Sequence, residues 1–389
     1  MRRLSVICMT GLILVTVFAF LACEKQESLT QVESSKPASK TNQEAPIMVG
    51  AILPLTGSAA PYGQNAKNGI ELALEEINAS GGIHGRSLEV LYQDSKTEPK
   101  EAVSALQKLY STDGIRYIIG DINSTGLLAM APIAERNKII LLSPGASSPE
   151  ISNAGEYIFR NWHSDALEGQ IDADYAYRAM KWKKSAVLYV NAAYGVGLAE
   201  TFRTDFQNLG GEVIAFEAYP QDATNMREQI SKILAARPDG LYLPGWPKEM
   251  AIALKQLAEQ GSKLPILSAQ GFDDPSMLEL ARNAAEGVVF SVPKTPDPND
   301  PIVQSFNKKY ESSYKEKPGV CSAAGYDALR IYAYAIEKAG NDPEKVREVM
   351  AVLKDFPGAD GPITFDEHGD LLKPFSFKKV SNLAFVEAE

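Results

Sequence analysis

Short apolar runs alternate with amphipathic helical stretches along most of the chain, and this alternation constrains the fold more than any other feature. An apolar run over 47–53 precedes a stretch in which Ile70, Ala73, Leu74 and Ile77 recur at helix spacing, stopped by Gly81-Gly82. A strand over 88–93, a helix over 99–110, a strand over 117–120, a helix over 125–136 and a strand over 139–142 follow. Parallel strands need long crossovers, and helices laid over both sheet faces call for strands that are apolar throughout rather than alternating. A second series has strands over 185–190, 212–218, 240–243, 265–268 and 287–291, with helices over 196–209, 226–236 and 248–259. Four prolines within 293–301 open a return segment with helices over 302–314 and 322–339. The chain therefore reads as α/β, in two lobes.

The 389 residues allow about two core-forming domains at roughly 100–200 residues each. A net charge of −10 argues against a generic affinity for nucleic acid or an anionic bilayer. Residues 1–22 have the charge layout of a secretory signal, with Arg2 and Arg3 ahead of an apolar stretch. That stretch ends in Phe20-Leu21-Ala22-Cys23, which resembles a bacterial lipobox, so Cys23 is the expected lipidation site. An uncleaved membrane helix is the competing reading, since about 20 apolar residues can span a bilayer. Both place the remainder outside the cytoplasm on a membrane anchor. Residues 23–45 are polar, without apolar periodicity, and read as a lipidated tether. The body then keeps one cysteine, Cys321, while His84, His163 and His368 show no metal-ligand spacing with it, so neither a metal nor a cofactor is expected.

Chemistry concentrates at the ends of strands. The strand over 117–120 runs into Asp121-Ile122-Asn123-Ser124, and the strand over 139–142 into Ser143-Pro144-Gly145-Ala146-Ser147. In open parallel sheets ligands sit beyond such carboxyl ends, where the next helix offers unpaired N–H groups. Ser124 and Ser147 there would cradle a carboxylate, or else simply cap helices. Gly145 would let main chain approach a ligand closely. Tyr62 and Tyr194 sit between a strand and a helix, each beside a glycine, as cleft residues or as core aromatics. Trp246, in Pro244-Gly245-Trp246-Pro247, has little regular structure to pack into, which favours an exposed binding role. Enzyme readings fail on detail. Tyr194-Gly195-Val196-Gly197 has Glu200 where a dinucleotide fingerprint needs its third glycine, and neither a Walker lysine nor Gly-x-Ser-x-Gly occurs.

Several stretches, in order, resemble the type I periplasmic binding proteins of the leucine/isoleucine/valine-binding group. They are Gly57-Ser58-Ala59-Ala60-Pro61-Tyr62-Gly63, Ile77-Asn78-Ala79-Ser80-Gly81-Gly82-Ile83-His84-Gly85, Ser143-Pro144-Gly145-Ala146-Ser147-Ser148-Pro149-Glu150, Tyr194-Gly195-Val196-Gly197, Tyr326-Asp327-Ala328-Leu329 and Gly361-Pro362-Ile363-Thr364-Phe365-Asp366. The resemblance implies two Rossmann-like lobes with parallel sheets joined by a three-crossing hinge, a Venus flytrap. Its lobes would be 46–163 plus 293–374 and 164–292 plus 375–389. It puts ligand contacts at Tyr62, Ser124, Gly145, Ser147, Tyr194, Trp246 and Gln270, with Cys321 near the pocket wall. Trp162 and Asp165 fall at the first crossing as hinge structure, and His84 reads as a surface residue. Gln270 stands where branched-chain members hold the ligand ammonium with a glutamate. Either Asp121, Asp273 or Asp274 supplies the charge instead, or the ligand lacks a free ammonium. The implied function is capture of a small amino-acid-like or carboxylate-bearing solute, without catalysis, by a monomer that delivers it to an ABC permease and its ATPase. The alternative is a ligand-sensing receptor subunit; the absence of a kinase or DNA-binding pattern up to Glu389 favours transport.

Overall fold

The computed structural model describes residues 45–294, 296–371 and 373–388. The signal, Cys23 and most of the tether lie outside the described residues.

In the first lobe β1 (Ile47–Leu53), α1 (Ala60–Ala79), β2 (Leu88–Asp94), α2 (Pro99–Ser111), β3 (Tyr117–Gly120), α3 (Ser124–Asn137), β4 (Ile140–Ser143) and β5 (Ile158–Arg160) follow one another. The five strands form an all-parallel sheet in the order β2-β1-β3-β4-β5. Both faces are covered, which is why the strands are apolar throughout. Tyr117 and Ile119 of β3 join one core cluster with Ala66 and Ile70 of α1, while Ile118 points to the opposite cluster with Leu106 of α2 and Leu127 of α3.

The chain then crosses into α4 (Asp165–Asp174), β6 (Lys184–Val190), α5 (Ala193–Asn208), β7 (Glu212–Tyr219), α6 (Arg227–Ala236), β8 (Gly240–Tyr242), α7 (Pro247–Glu259), β9 (Ile266–Ser268), α8 (Ser276–Ala281) and β10 (Val289–Pro293). It returns to the first lobe through α9 (Pro301–Tyr314) and α10 (Ser322–Ala339), both packed on α1, then α11 (Pro343–Ala351) and the hairpin β11 (Phe356–Gly358) and β12 (Gly361–Ile363). A third crossing leads to β13 (Phe375–Ser381) and β14 (Ala384–Glu387). These complete a seven-stranded sheet ordered β14-β13-β10-β9-β8-β6-β7, with β13 antiparallel to β10.

The crossings are tied by side chains far apart in sequence. Trp162 stacks on His163 at 5.2 Å between ring centres, and His163 meets the edge of Phe375 at 4.7 Å, so the first and third crossings pack together. The fully buried Arg160 grips the Asp370 carboxylate with two 2.6 Å bonds and also donates to the Ser148 carbonyl. A forked guanidinium is suited to that bidentate contact, since a buried charge is tolerable only when paired.

Candidate functional site

The carboxyl ends of the parallel strands in both sheets face one cavity, with about 450 Å³ of empty space when the open solvent at its mouth is counted. Tyr62, Ser124, Gly145 and Ser147 line it from the first lobe, and Tyr194, Trp246 and Gln270 from the second. All seven candidates from sequence thus line one cavity, each in the loop or first helical turn that follows a strand.

Neither serine caps a helix. The cap of α3 is Asn123, whose side-chain oxygen accepts from Thr125 N, and the residue before the short 3₁₀ turn Pro149–Asn153 is Ser148. Ser124 Oγ instead accepts from Ser147 N at 3.1 Å and Ser148 N at 3.2 Å, which welds the two strand-end loops together. With its acceptor sites taken, the Ser124 hydroxyl has only its proton left to offer. Beneath it, Ser143 Oγ donates to the Asp121 carbonyl and accepts from Ala146 N, holding the loop around Gly145. A side chain at Gly145 would come within 2.8 Å of Ile122 and 3.1 Å of the Cys321 sulfur, so glycine keeps that wall shallow. Burial pushes the Cys321 thiol up, leaving it a small neutral wall group.

Aromatic rings form the facing wall. Tyr194 and Trp246 lie nearly parallel, with centres 6.4 Å apart. Trp246 is 4% exposed rather than solvent-facing as the sequence suggested, because it is the residue that starts α7 and Pro247 opens the helix behind it. The Tyr62 phenol donates across the cleft to the Gly271 carbonyl. Three further contacts bridge the lobes: Ala193 N to Thr125 Oγ1 at 3.0 Å, Gln221 Nε2 to the Thr97 carbonyl at 2.9 Å, and Asn65 Nδ2 to Asp274 Oδ2 at 3.4 Å. The cleft is therefore closed. Gly197 serves this packing, since a side chain there would strike Pro149 of the other lobe at 2.6 Å; Gly195 instead lets α5 start close to β6 within its own lobe, where a side chain would strike the Val190 carbonyl at 2.2 Å.

The charge is not where the sequence put it. Asp273 pairs with Lys378 at 3.1 Å, Asp274 accepts from Ser276 N at 2.8 Å in its own turn, and Asp121 is buried against the first turn of α3; none lines the cavity. Glu168 of α4 does, 1% exposed. Its Oε1 accepts from Gln270 N at 2.6 Å and Ser291 Oγ at 2.8 Å, and its Oε2 lies 3.2 Å from His163 Nε2. Burial, followed by repulsion from Glu168, pushes the carboxyls of Asp165 and Asp172 well above the usual range. The Tyr62 and Tyr194 phenols are raised by burial and stay neutral donors. Trp162, read as hinge structure, also lines the cavity, as do His163 and Cys321. The missed signal was the spacing of Asp165, Glu168 and Asp172, which puts three carboxylates on one helix face where an apolar stripe would be expected.

Two α/β lobes closing on a small cavity at the ends of their parallel strands define a cleft-binding protein. A family model for periplasmic binding proteins matches residues 46–382, and the chain belongs to that family. It is 30% identical over 326 residues to the leucine-, isoleucine-, valine-, threonine- and alanine-binding protein of Pseudomonas aeruginosa, covering 83% of this chain and 86% of that one. Its structure resembles the leucine binding protein LivK of Thermotoga maritima, with a TM-score of 0.83 at 30% identity over 88% of this chain and 98% of the other. The branched-chain amino acid transporter substrate binding protein LivJ of Streptococcus pneumoniae, in complex with isoleucine, gives 0.81 at 26% identity, over 87% and 97%. The protein is an extracytoplasmic solute-binding protein and not an enzyme.

Proposed function

We propose that the protein is a lipid-anchored, monomeric binding protein that captures a small amino-acid-like or carboxylate-bearing solute and delivers it to an ABC permease and its ATPase. The observation that carries this reading is the meeting of Ser124, Ser147 and the loop around Gly145 with Tyr62, Tyr194, Trp246 and Gln270 in one closed cavity. The Ser124 proton, the Ser147 hydroxyl and the start of α3 offer donors and partial positive charge to a carboxylate, and the rings cover the rest of the solute. The lobes are 46–163 plus 293–374 and 164–292 plus 375–389, a division supported by which sheet or helix layer each segment joins. Cys23 carries the lipid.

A thermal-shift screen against amino acids, amides and small organic acids tests the reading. A ligand at one hundred times its Kd stabilises the native state by about 2.7 kcal/mol. At least one carboxylate-bearing compound is expected to raise Tm, and a screen in which none does would overturn it. Labelling with a fatty acid in cells should be lost in Cys23→Ala.

A further inference from the structure

A second and larger space lies beside the cavity, on the side of the crossings. It is bounded by Trp162 of the first crossing, Pro293 of the second, α9, the start of α10 and Phe385 of the edge strand β14. With the open solvent at its mouth counted it holds about 1440 Å³, against about 450 Å³ for the cavity. Trp162, Gln270, Val320 and Cys321 line both, so the two spaces meet at side chains that carry no charge. The chemistry beyond them is apolar. Pro275, Pro293, Pro296 and Pro298 all face the second space, and a proline offers ring surface without a backbone N–H to satisfy. Val303, Phe306 and Ala324 add almost fully buried side chains. Charges along the same wall are already paired, Asp273 with Lys378 at 3.1 Å and Asp360 with Lys373, while Lys317 stands exposed at the rim. Apolar surface of this kind is stabilised when apolar matter displaces the water over it. The space stays open while the lobes touch, so closure does not expel an occupant.

We infer that the solute reaches past Trp162, Gln270, Val320 and Cys321 and lays an uncharged, apolar tail against the prolines and Phe306, so that the protein selects carboxylates with extended tails over short ones. Continuity of the two spaces through four shared residues makes the tail and the carboxylate parts of one molecule. Val320 and Cys321 set this specificity, because a bulkier side chain at either would narrow the passage. The loop that carries them is held in place at Gly319, where a side chain would run into Asn65 of α1. This inference rests on the carboxylate-binding reading above and adds a tail to the solute.

Titration calorimetry on the purified wild-type protein decides it with two series, the straight-chain carboxylates butanoate, hexanoate, octanoate and decanoate and the L-2-amino acids of the same chain lengths. In at least one series each added methylene should tighten binding about threefold as it leaves water, at one solute per protein. The eight-carbon member should then bind at least thirtyfold tighter than the four-carbon one. Ala323 of α10 lines the second space and not the cavity. Ala323→Phe should therefore cost the eight-carbon member at least tenfold while leaving the four-carbon member within threefold. Affinity that falls beyond four carbons overturns the inference and leaves the carboxylate-binding function standing. A gain with length that Ala323→Phe does not reduce also overturns it, since the tail then lies elsewhere and the second space is left to a protein partner or a second copy of the chain. No binding in either series overturns it as well, and the thermal-shift screen then decides the function by itself. Should Ala323→Phe fail to fold, Ala323→Leu and the wild-type length series decide.

Discussion

Ser124 and Ser147 carry similar chemistry but different structural burdens. Ser124 Oγ satisfies two buried N–H groups, so removing it leaves both unpaired, at about 1–3 kcal/mol for each buried group stranded. Ser147 supports no backbone amide in this way; its hydroxyl faces Asp165 and the cavity. Ser147→Ala should therefore weaken ligand binding roughly ten- to a hundredfold by calorimetry, the cost of one charge-assisted hydrogen bond, with a small change in Tm. Ser124→Ala should lose comparable affinity and also melt several degrees lower. Unchanged affinity in both variants would remove the carboxylate cradle.

At the scale of the element, the joint between β3 and α3 fixes the cradle and carries a titratable group. Asp121 follows the strand, is fully buried, and its carboxyl is pushed up to about 7 by burial, which the nearby Ser95 hydroxyl and the backbone at Asn123 and Ile122 offset only in part. A side chain at Gly126 would come within 2.4 Å of Asp121 Oδ2, so the carboxyl fills the space under the first turn of α3. Because the folded value is raised, the native state holds a proton that the unfolded chain has already released between about pH 4 and pH 7. This contribution to stability falls as pH rises through that window and is flat above it. Asp121→Asn should thus gain stability relative to the wild type between pH 5 and pH 8, by at most about 4 kcal/mol. Thermal melts of both proteins across that range check the sign, and a constant gap in Tm would contradict it.

Across the whole molecule, closure depends on few contacts. Among the described residues, Thr125, Gln221, Tyr62 and Asn65 make the side-chain hydrogen bonds that span the cleft away from the crossings. Such bonds exist only when the lobes meet, so they set the balance between open and closed states, and a ligand shifts that balance by its preference for the closed one. Thr125→Val removes one acceptor and should weaken ligand affinity about two- to tenfold through a more open resting state. Small-angle scattering of the wild type should show a smaller radius of gyration at ligand saturation, and Thr125→Val should need more ligand to reach it. A profile insensitive to ligand would contradict hinge closure.

Much of this architecture was legible as periodicity. The strand over 117–120 and the helix over 322–339 match β3 and α10 residue for residue, because buried strands and amphipathic helices are written in local sequence. The strand-end positions of the seven candidate residues follow from the same pattern, joined to the family resemblance. What local pattern could not show is whatever depends on distant partners. The three-residue β5 exists through its pairing with β4 and the bond from Arg160 to Asp370, and β13 and β14 close a sheet begun nearly two hundred residues earlier. Glu168 lay in a helix whose buried face is acidic, so periodicity gave no reason to place it inside. Only the closed tertiary structure decides that this carboxylate, rather than Asp121, Asp273 or Asp274, lines the cavity, because burial and orientation there are set by the meeting of two lobes and not by neighbours in sequence.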